Sequence, residues 1–232
     1  MIMKLRKHFT MKLSEKTSSI LKNFSSINGS ILVKEGTSLK TMSPMKNILA
    51  EAVIDEDMPR DFAIYDLPQF LNTIDLMDGP LLDFTNEHYV VIKRERSKFK
   101  YWFCDHTLVP SLPEKTIELP SRDVCFQLEQ EQLRQLTRAA DVLGLPDLTA
   151  IGDRNSIKLV ARDKNNQTSN DYSIEVGRTD KEFIFNFKRE NIKIIPESYD
   201  VVISKKELAS FSNTKLNLNY FIALEPDSVY ND

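Results

Sequence analysis

The sequence predicts an α+β chain of two tandem, similar domains, each with two helices packed on antiparallel sheets. Three observations carry that prediction. The order helix, strands, helix, strands occurs twice, offset by about 115 to 120 residues, which suits a duplicated domain and not a solenoid. Between the copies, Val109 to Arg122 holds Pro110, Pro113 and Pro120 without helical periodicity and reads as a linker. The chain has 232 residues, 41% hydrophobic and 28% charged, the balance of a globular protein with apolar mass for two modest cores. The expected boundaries are an extension at 1–10, a first domain at 11–108, the linker at 109–122 and a second domain at 123–232.

Ser14 is a good N-cap for the first helix, which puts Ile20, Leu21 and Phe24 on one side and Lys16, Ser19, Lys22 and Asn23 on the other. After Asn28-Gly29 the pattern changes to strands, at Ile31 to Lys34, Ser38 to Met42 and the alternating Ile48 to Ile54. Phe62 to Tyr65 is another. Asp66 then caps a helix that tolerates Pro68 in its first turn and carries the stripe Leu67, Phe70, Leu71, Ile74 and Met77. Asp78-Gly79-Pro80 stops it, and three strands follow between Leu81 and Phe103.

The second half repeats this order. Leu128 to Leu143 is a predicted helix with Leu133, Leu136, Ala140 and Leu143 on one face and Arg134 and Arg138 opposite; Gly144 and Pro146 end it. Strands are expected at Thr149 to Ile151, Ser156 to Arg162, Tyr172 to Val176 and Phe183 to Phe187. A short helix is expected at Lys188 to Ile194, before Pro196. Ser204-Lys205-Lys206-Glu207 matches a capping box and competes with it, but the repeat register favours the earlier position. Tyr199 to Ile203, a middle strand and Tyr220 to Leu224 close the chain.

Net charge is −3, so any contact with nucleic acid requires positive charge gathered on one surface. No apolar run approaches the roughly 18 residues of a membrane span, and Met1 to Thr10 lacks the apolar core of a signal peptide. Cys104 and Cys125 each neighbour apolar residues, have no metal-like spacing, and read as buried free thiols in a reducing compartment. His8, His88 and His106 are scattered, and the six glycines stand singly, so neither a nucleophilic constellation nor a phosphate loop is present. No catalytic residue, metal site or cofactor is expected. Glu51 to Asp66 holds six acids against Arg60 alone, which suits an outer surface better than a metal site at Asp55, Glu56 and Asp57.

Four strings lie in order along the chain: Met11-Lys12-Leu13-Ser14, Leu21-Lys22-Asn23-Phe24, Phe62-Ala63-Ile64-Tyr65-Asp66-Leu67, and Tyr220 through Ser228 (YFIALEPDS). On these the chain resembles the DNA polymerase sliding clamps, or processivity factors, of T-even-like bacteriophages, from Met11 to its last residue. The resemblance implies the DNA clamp fold and a head-to-tail homotrimer whose helices line a hole around double-stranded DNA. It also implies a replicative DNA polymerase and an ATP-dependent clamp loader as partners, and the cytoplasm of an infected bacterial host as location. Met1 to Thr10 lies outside it and reads as an extension or an overlong start, with Met11 the natural first residue.

A clamp must hold DNA without stopping on it, which requires weak, sequence-independent phosphate attraction from short helices. The expected DNA-facing residues are Lys16, Lys22, Arg134, Arg138, Lys188, Arg189 and Lys193, the last pair at i, i+4 on the short helix. The helix from Leu67 to Met77 has no basic residue. By the resemblance, partner peptides dock in an apolar pocket at the domain junction, with Met42, Met45, Ile117, Leu119, Leu224 and Pro226 as candidate lining. Lys93 to Lys100 (KRERSKFK), followed by Tyr101, Trp102 and Phe103, reads as a charged hairpin entering a core strand. Read instead as a basic-aromatic surface, it supports a rival function, a non-ring single-stranded DNA-binding or adaptor protein. A structural virion protein that kept the fold and lost the ring is a third reading.

Overall fold

The structure, a computed structural model, describes residues 9–110, 112 and 117–231. The readings made for residues 1–8 and for part of the linker lie outside these. The chain divides into two compact units, Met1–Pro44 with Ala50–Glu114, and Met45–Leu49 with Lys115–Asp232.

The first unit runs β1 (Thr10–Met11), α1 (Glu15–Ile27), β2 (Ile31–Val33), β3 (Gly36–Met42), β4 (Ile48–Met58, in this unit from Ala50 onward), β5 (Phe62–Ile64), α2 (Leu67–Asp75), β6 (Leu81–Asp83), β7 (Tyr89–Arg94) and β8 (Ser97–Trp102). β1, β6, β7 and β8 form one antiparallel sheet in that order, β2 pairs with β5, and β3 neighbours β4. Ser14 caps α1 as expected, its Oγ accepting from Thr17 N at 3.1 Å. A second group at this helix end was not legible in the sequence. The Glu56 carboxylate on β4 accepts from Ser14 N and from the fully buried Thr17 hydroxyl. It supplies the negative charge that a helix N-terminus favours. Ile20, Leu21, Phe24 and Ile27 are the buried face of α1.

Asp66 caps α2, accepting from Gln69 N at 2.9 Å. The helix is shorter than its stripe suggests and ends at Asp75. Asp78 and Gly79 then take φ of 48° and 73°, and Arg94 Nη1 donates to Met77 O at 2.7 Å. A cation thus sits on the exposed carbonyls where a helix needs one. Arg94 also ends β7, and Glu95, at φ 51°, starts the tight turn into β8.

The second unit runs β9 (Val124–Leu128), α3 (Gln130–Leu143), β10 (Asp147–Asp153), β11 (Ser156–Arg162), β12 (Tyr172–Arg178), β13 (Glu182–Lys188), β14 (Tyr199–Ser204), β15 (Leu208–Asn213), β16 (Leu218–Ala223) and β17 (Val229–Asn231). One sheet has the order β12-β11-β10-β13-β17, and in another β16, β15, β14 and β9 are successive neighbours. Strands β9 and β17 were not expected. α3 begins two residues later than predicted because Leu128 completes β9 opposite Tyr199. Its cap is Glu129, whose N–H donates to Gln132 Oε1 at 2.9 Å, and Gly144 ends it at φ 65°. Leu133, Leu136 and Ala140 are buried, but Leu143, assigned to the same stripe, is 43% exposed.

The largest departure is the expected helix at Lys188 to Ile194. There is one 3-10 turn, Arg189–Asn191. Two ties claim the segment. Lys188 remains in β13, opposite Asp147, and Arg189 N donates to Pro146 O at 2.8 Å. Beyond the turn, Ile195 N donates to the Tyr220 hydroxyl at 3.2 Å and the Tyr199 hydroxyl donates to Ile195 O at 2.6 Å. Burial pushes both phenols far above their usual range, so they stay protonated. The competing capping-box site is not helical either. Ser204 Oγ accepts from Lys206 N at 3.1 Å inside a tight turn from β14 to β15, with Glu207 at φ 63°.

Both cysteines are free, but neither is buried. Cys104 is half-buried, which pushes its thiol up, and Cys125 lies on the outward side of β9. The expectation misread the alternation of β9, in which Val124 and Leu128 face in and Cys125 and Gln127 face out.

Gly152 lies opposite Phe183, and a Cβ there would run into the Phe183 ring. That ring is fully buried and stacked on Phe185 at 5.1 Å, so it has nowhere to retreat. Gly152→Ala is expected to lower stability by about 1–3 kcal/mol, read as a lower urea midpoint with unchanged slope.

Candidate nucleic-acid interface

The basic residues expected to meet DNA fall into two groups by what they already hold. On α1, Lys16 Nζ lies 3.1 Å from Asp55 on β4, with only 21% of its side chain exposed. The Lys16 hydrogen bond holds the Asp55 carboxyl below its ordinary range. Lys22 reaches across to Asp75 of α2 at 2.7 Å. The acidic run on β4 is therefore not simply an outer surface. Glu51 pairs with Lys40 at 3.4 Å, Asp55 with Lys16, and Glu56 with the start of α1.

On α3 the pattern is different. Arg134 and Arg138 are exposed, one turn apart, opposite the buried face of Leu133, Leu136 and Ala140. Among the described residues neither forms an ion pair. Their spacing places two guanidinium groups side by side along one helix face, able to take successive phosphate oxygens without reading a base.

Lys188, Arg189 and Lys193 do not share a face, because the helix that would align them is absent. Lys188 Nζ bonds at 2.9 Å to Asp147, a carboxylate with no solvent exposure. That bond to Asp147 is the main reason the ammonium is held above its ordinary range. Arg189 donates to Asp141 of α3 at 2.9 Å, and Lys193 is exposed on the segment after the 3-10 turn. Lys188 and Arg189 thus fasten β10, β13 and α3 together.

The candidate peptide-docking residues are scattered in exposure. Met42 is half-buried in the first unit. In the second, Met45 is 83% exposed, Ile117 and Leu119 are half-buried, Leu224 is buried and Pro226 is exposed. One bond gathers part of this set: Ala223 N donates to Asn47 O at 2.9 Å, laying the Met45–Leu49 segment along the end of β16.

Sequence reasoning missed two strand edges. β8 ends a sheet of the first unit and β12 ends a sheet of the second. Lys98, Lys100 and Trp102 project from one side of β8, and Glu175 is exposed on β12. Lysines on a strand are a device that guards an edge against indiscriminate pairing, and that was the available signal. On the basic-aromatic hairpin, Lys100 Nζ lies 4.4 Å over the Tyr89 ring and 5.5 Å over Trp102, themselves 5.1 Å apart. The lysine occupies ring faces that a nucleic-acid base would need.

A family profile described as DNA polymerase processivity factor matches residues 12–105, and one described as gp45 sliding clamp, C terminal, matches 125–226. The sliding clamp of Vibrio phage KVP40 is 32% identical over 222 residues, covering 93% of this chain and 99% of that protein. The chain belongs to the phage sliding-clamp family. The sliding clamps of Escherichia phage RB69 and Enterobacteria phage T4 are 32% and 30% identical, each covering 95% of this chain and 99% of theirs. The α+β fold with few helices on antiparallel sheets is that of the cellular clamps. The A. fulgidus PCNA, solved with the C-terminal region of FEN-1, has a TM-score of 0.73 at 10% identity, covering 96% of this chain and all 100% of that one. The Entamoeba histolytica PCNA gives 0.69 at 15%, covering 94% and 98%. No helix of the described residues is long and apolar enough to cross a membrane.

The different duties of the basic residues lead to different expected costs. Lys188→Ala leaves the buried Asp147 carboxylate without its countercharge and is expected to destabilise by about 3 kcal/mol. Arg134→Ala with Arg138→Ala, both exposed, is expected to change stability by less than about 1 kcal/mol. Urea unfolding of the two variants compares them directly. Because the Lys188 value is raised on folding, its contribution is present at neutral pH and is lost as pH climbs past the ordinary lysine value of 10.5.

Proposed function

We propose that the chain forms a head-to-tail homotrimeric ring around double-stranded DNA and tethers the replicative DNA polymerase, raising processivity by topology and performing no catalytic step. The observation that carries this reading is that β8 ends a sheet of the first unit and β12 ends a sheet of the second. A ring of identical copies needs a surface that meets a different surface on the next copy, with each contact repeated around a closed rotation. β8 and β12 meet that need. Laid antiparallel with Trp102 opposite Ser173, they bring Lys100 opposite Glu175, a cross-strand pair of opposite charge. Two copies of β8 meeting each other would instead bring lysines together, so the edges favour the head-to-tail contact.

Within the ring, Arg134 and Arg138 are the principal phosphate-facing groups. Lys16 and Lys22 serve as screened charges on α1, and the exposed Lys193 contributes from the segment after the 3-10 turn. Lys188 and Arg189 act by holding the scaffold. Partner peptides dock against Met42, Met45, Ile117, Leu119, Leu224 and Pro226, a reading supported by the Asn47–Ala223 bond that ties the Met45–Leu49 segment to the end of β16. Methionine suits a surface that serves several partners. The ring must be opened to pass a closed duplex, work that the family resemblance gives to a separate ATP-dependent loader. The rival single-strand reading is weakened because Lys100 covers the rings it would use.

Light scattering across a dilution series should give a mass of roughly three times the 26.8 kDa chain. A monomer persisting at high concentration would leave no ring and sink the reading. Lys100→Glu should lower the mass to that of the chain, and Lys100→Glu with Glu175→Lys should restore the trimer. Arg134→Glu with Arg138→Glu should keep the trimer but shorten retention on closed circular duplex by about tenfold or more, with a shallower salt dependence.

A further inference from the structure

The segment Glu225–Asn231 forms an added edge of the second unit. Glu225 N donates to Asn186 O at 2.8 Å, Ser228 N to Glu225 O at 3.0 Å, and Asn186 N to Ser228 Oγ at 3.0 Å. The chain then lays β17 along β13, with Ile184 opposite Val229, Phe183 opposite Tyr230 and Glu182 opposite Asn231. Two side chains select this seat. The Tyr230 ring lies 6.4 Å from Phe183 and 6.1 Å from Phe185, nearly parallel to both, with Lys205 Nζ 5.2 Å over it. Three residues earlier, Asp227 accepts from Lys164 Nζ at 2.8 Å, a bond that holds its carboxyl below the ordinary range.

The remainder of the segment is held lightly. Pro226, Asp227 and Asn231 are exposed and Val229 is 50% exposed. Main-chain pairing is limited to three residue pairs, the kind of small unit that opens well before the whole fold does. Under it lies a complete recognition surface. The β13 edge offers main-chain bonds that any extended chain can make, Phe183 and Phe185 form an aromatic platform, and Lys164 and Lys205 add cations at two fixed distances.

We propose that the β13 edge is a strand-accepting site for an extended peptide with a carboxylate three residues before an aromatic ring, and that β17 keeps the site closed until such a peptide replaces it in trans. The occupant is defined by what already sits there. Asp227 and Tyr230 show the side chains the site takes and their spacing. This inference rests on the partner-docking part of the proposed function for the source of the peptide, while the site itself stands on the geometry of the second unit. It makes peptide capture a competition, in which a partner must outbid the chain's own strand, so only a peptide with both anchors gains entry.

The test uses a chain ending at Leu224 and a fluorescently labelled peptide copying Glu225–Asp232, with binding read by anisotropy and folding by thermal melting. The shortened chain should bind the peptide saturably and at least about tenfold more tightly than the full chain does. The peptide with Tyr230→Ala should lose at least about tenfold, the ring being the larger anchor. Should the shortened chain fail to fold, the full chain carrying Tyr230→Ala provides the same reading, since loosening its own anchor should admit the unmodified peptide. Absence of saturable binding to these opened chains, or equal binding by the intact one, overturns the proposal. Mass and processivity of the intact chain separate the two ideas: a processive trimer whose opened variants take no peptide removes the strand-accepting site and leaves the clamp standing.

Discussion

A carboxylate with no access to water must find every hydrogen bond inside the protein, and in the second unit that constraint falls on Asp147. Its two oxygens accept from Lys188 Nζ at 2.9 Å and Lys164 N at 3.2 Å. Those bonds fix the start of β10 against the end of β13 and against the loop leaving β11. Lys164 Nζ then continues the chain of contacts to Asp227, and Arg162 Nε, donating to Thr149 Oγ1 at 3.0 Å, braces the same corner. A buried ionic group of this kind contributes little net stability compared with an apolar pair, yet removing one partner is costly. Its value here is positional: it decides that Lys188 ends a strand and does not begin a helix.

That decision explains where sequence reading succeeded and where it failed. The first half was legible because its signals are local. Ser14, Asp66 and the helical stripes act within one or two turns, and both helices stand within a residue or two of their expected places. The second half broke the repeat at Lys188–Ile194, where local pattern was overruled by groups far away in sequence: Asp147, Tyr199 and Tyr220. The three-residue strand β17 and the two-residue β1 carry too few positions for any periodicity to register. Cys125 was misassigned because apolar neighbours in a strand point to the face opposite its own.

The candidate interface was legible in residue type and not in partner. Arg134 and Arg138 were expected outside the apolar stripe of α3, and they are there, unpaired among the described residues. Lys16 and Lys22 were expected in the same role, but each meets a carboxylate from another element, Asp55 and Asp75, which no helical wheel displays. The open edges β8 and β12 are a property of sheet order, which a linear pattern leaves undetermined.

On the proposed clamp, the ion pairs of α1 bear on motion along the duplex. A lysine that already holds a carboxylate exchanges one anion for another when a phosphate passes, so its energy changes little with position along the helix. Lys22, half exposed and joined to Asp75, has this character. An unpaired guanidinium grips each phosphate more firmly and sets the depth of each step. A ring that carries both kinds would present the moving duplex with a shallow corrugation in place of deep wells, and the roughness of that corrugation governs one-dimensional diffusion. On that proposal the carboxylates Asp55 and Asp75, silent in any list of DNA contacts, would act as lubricant.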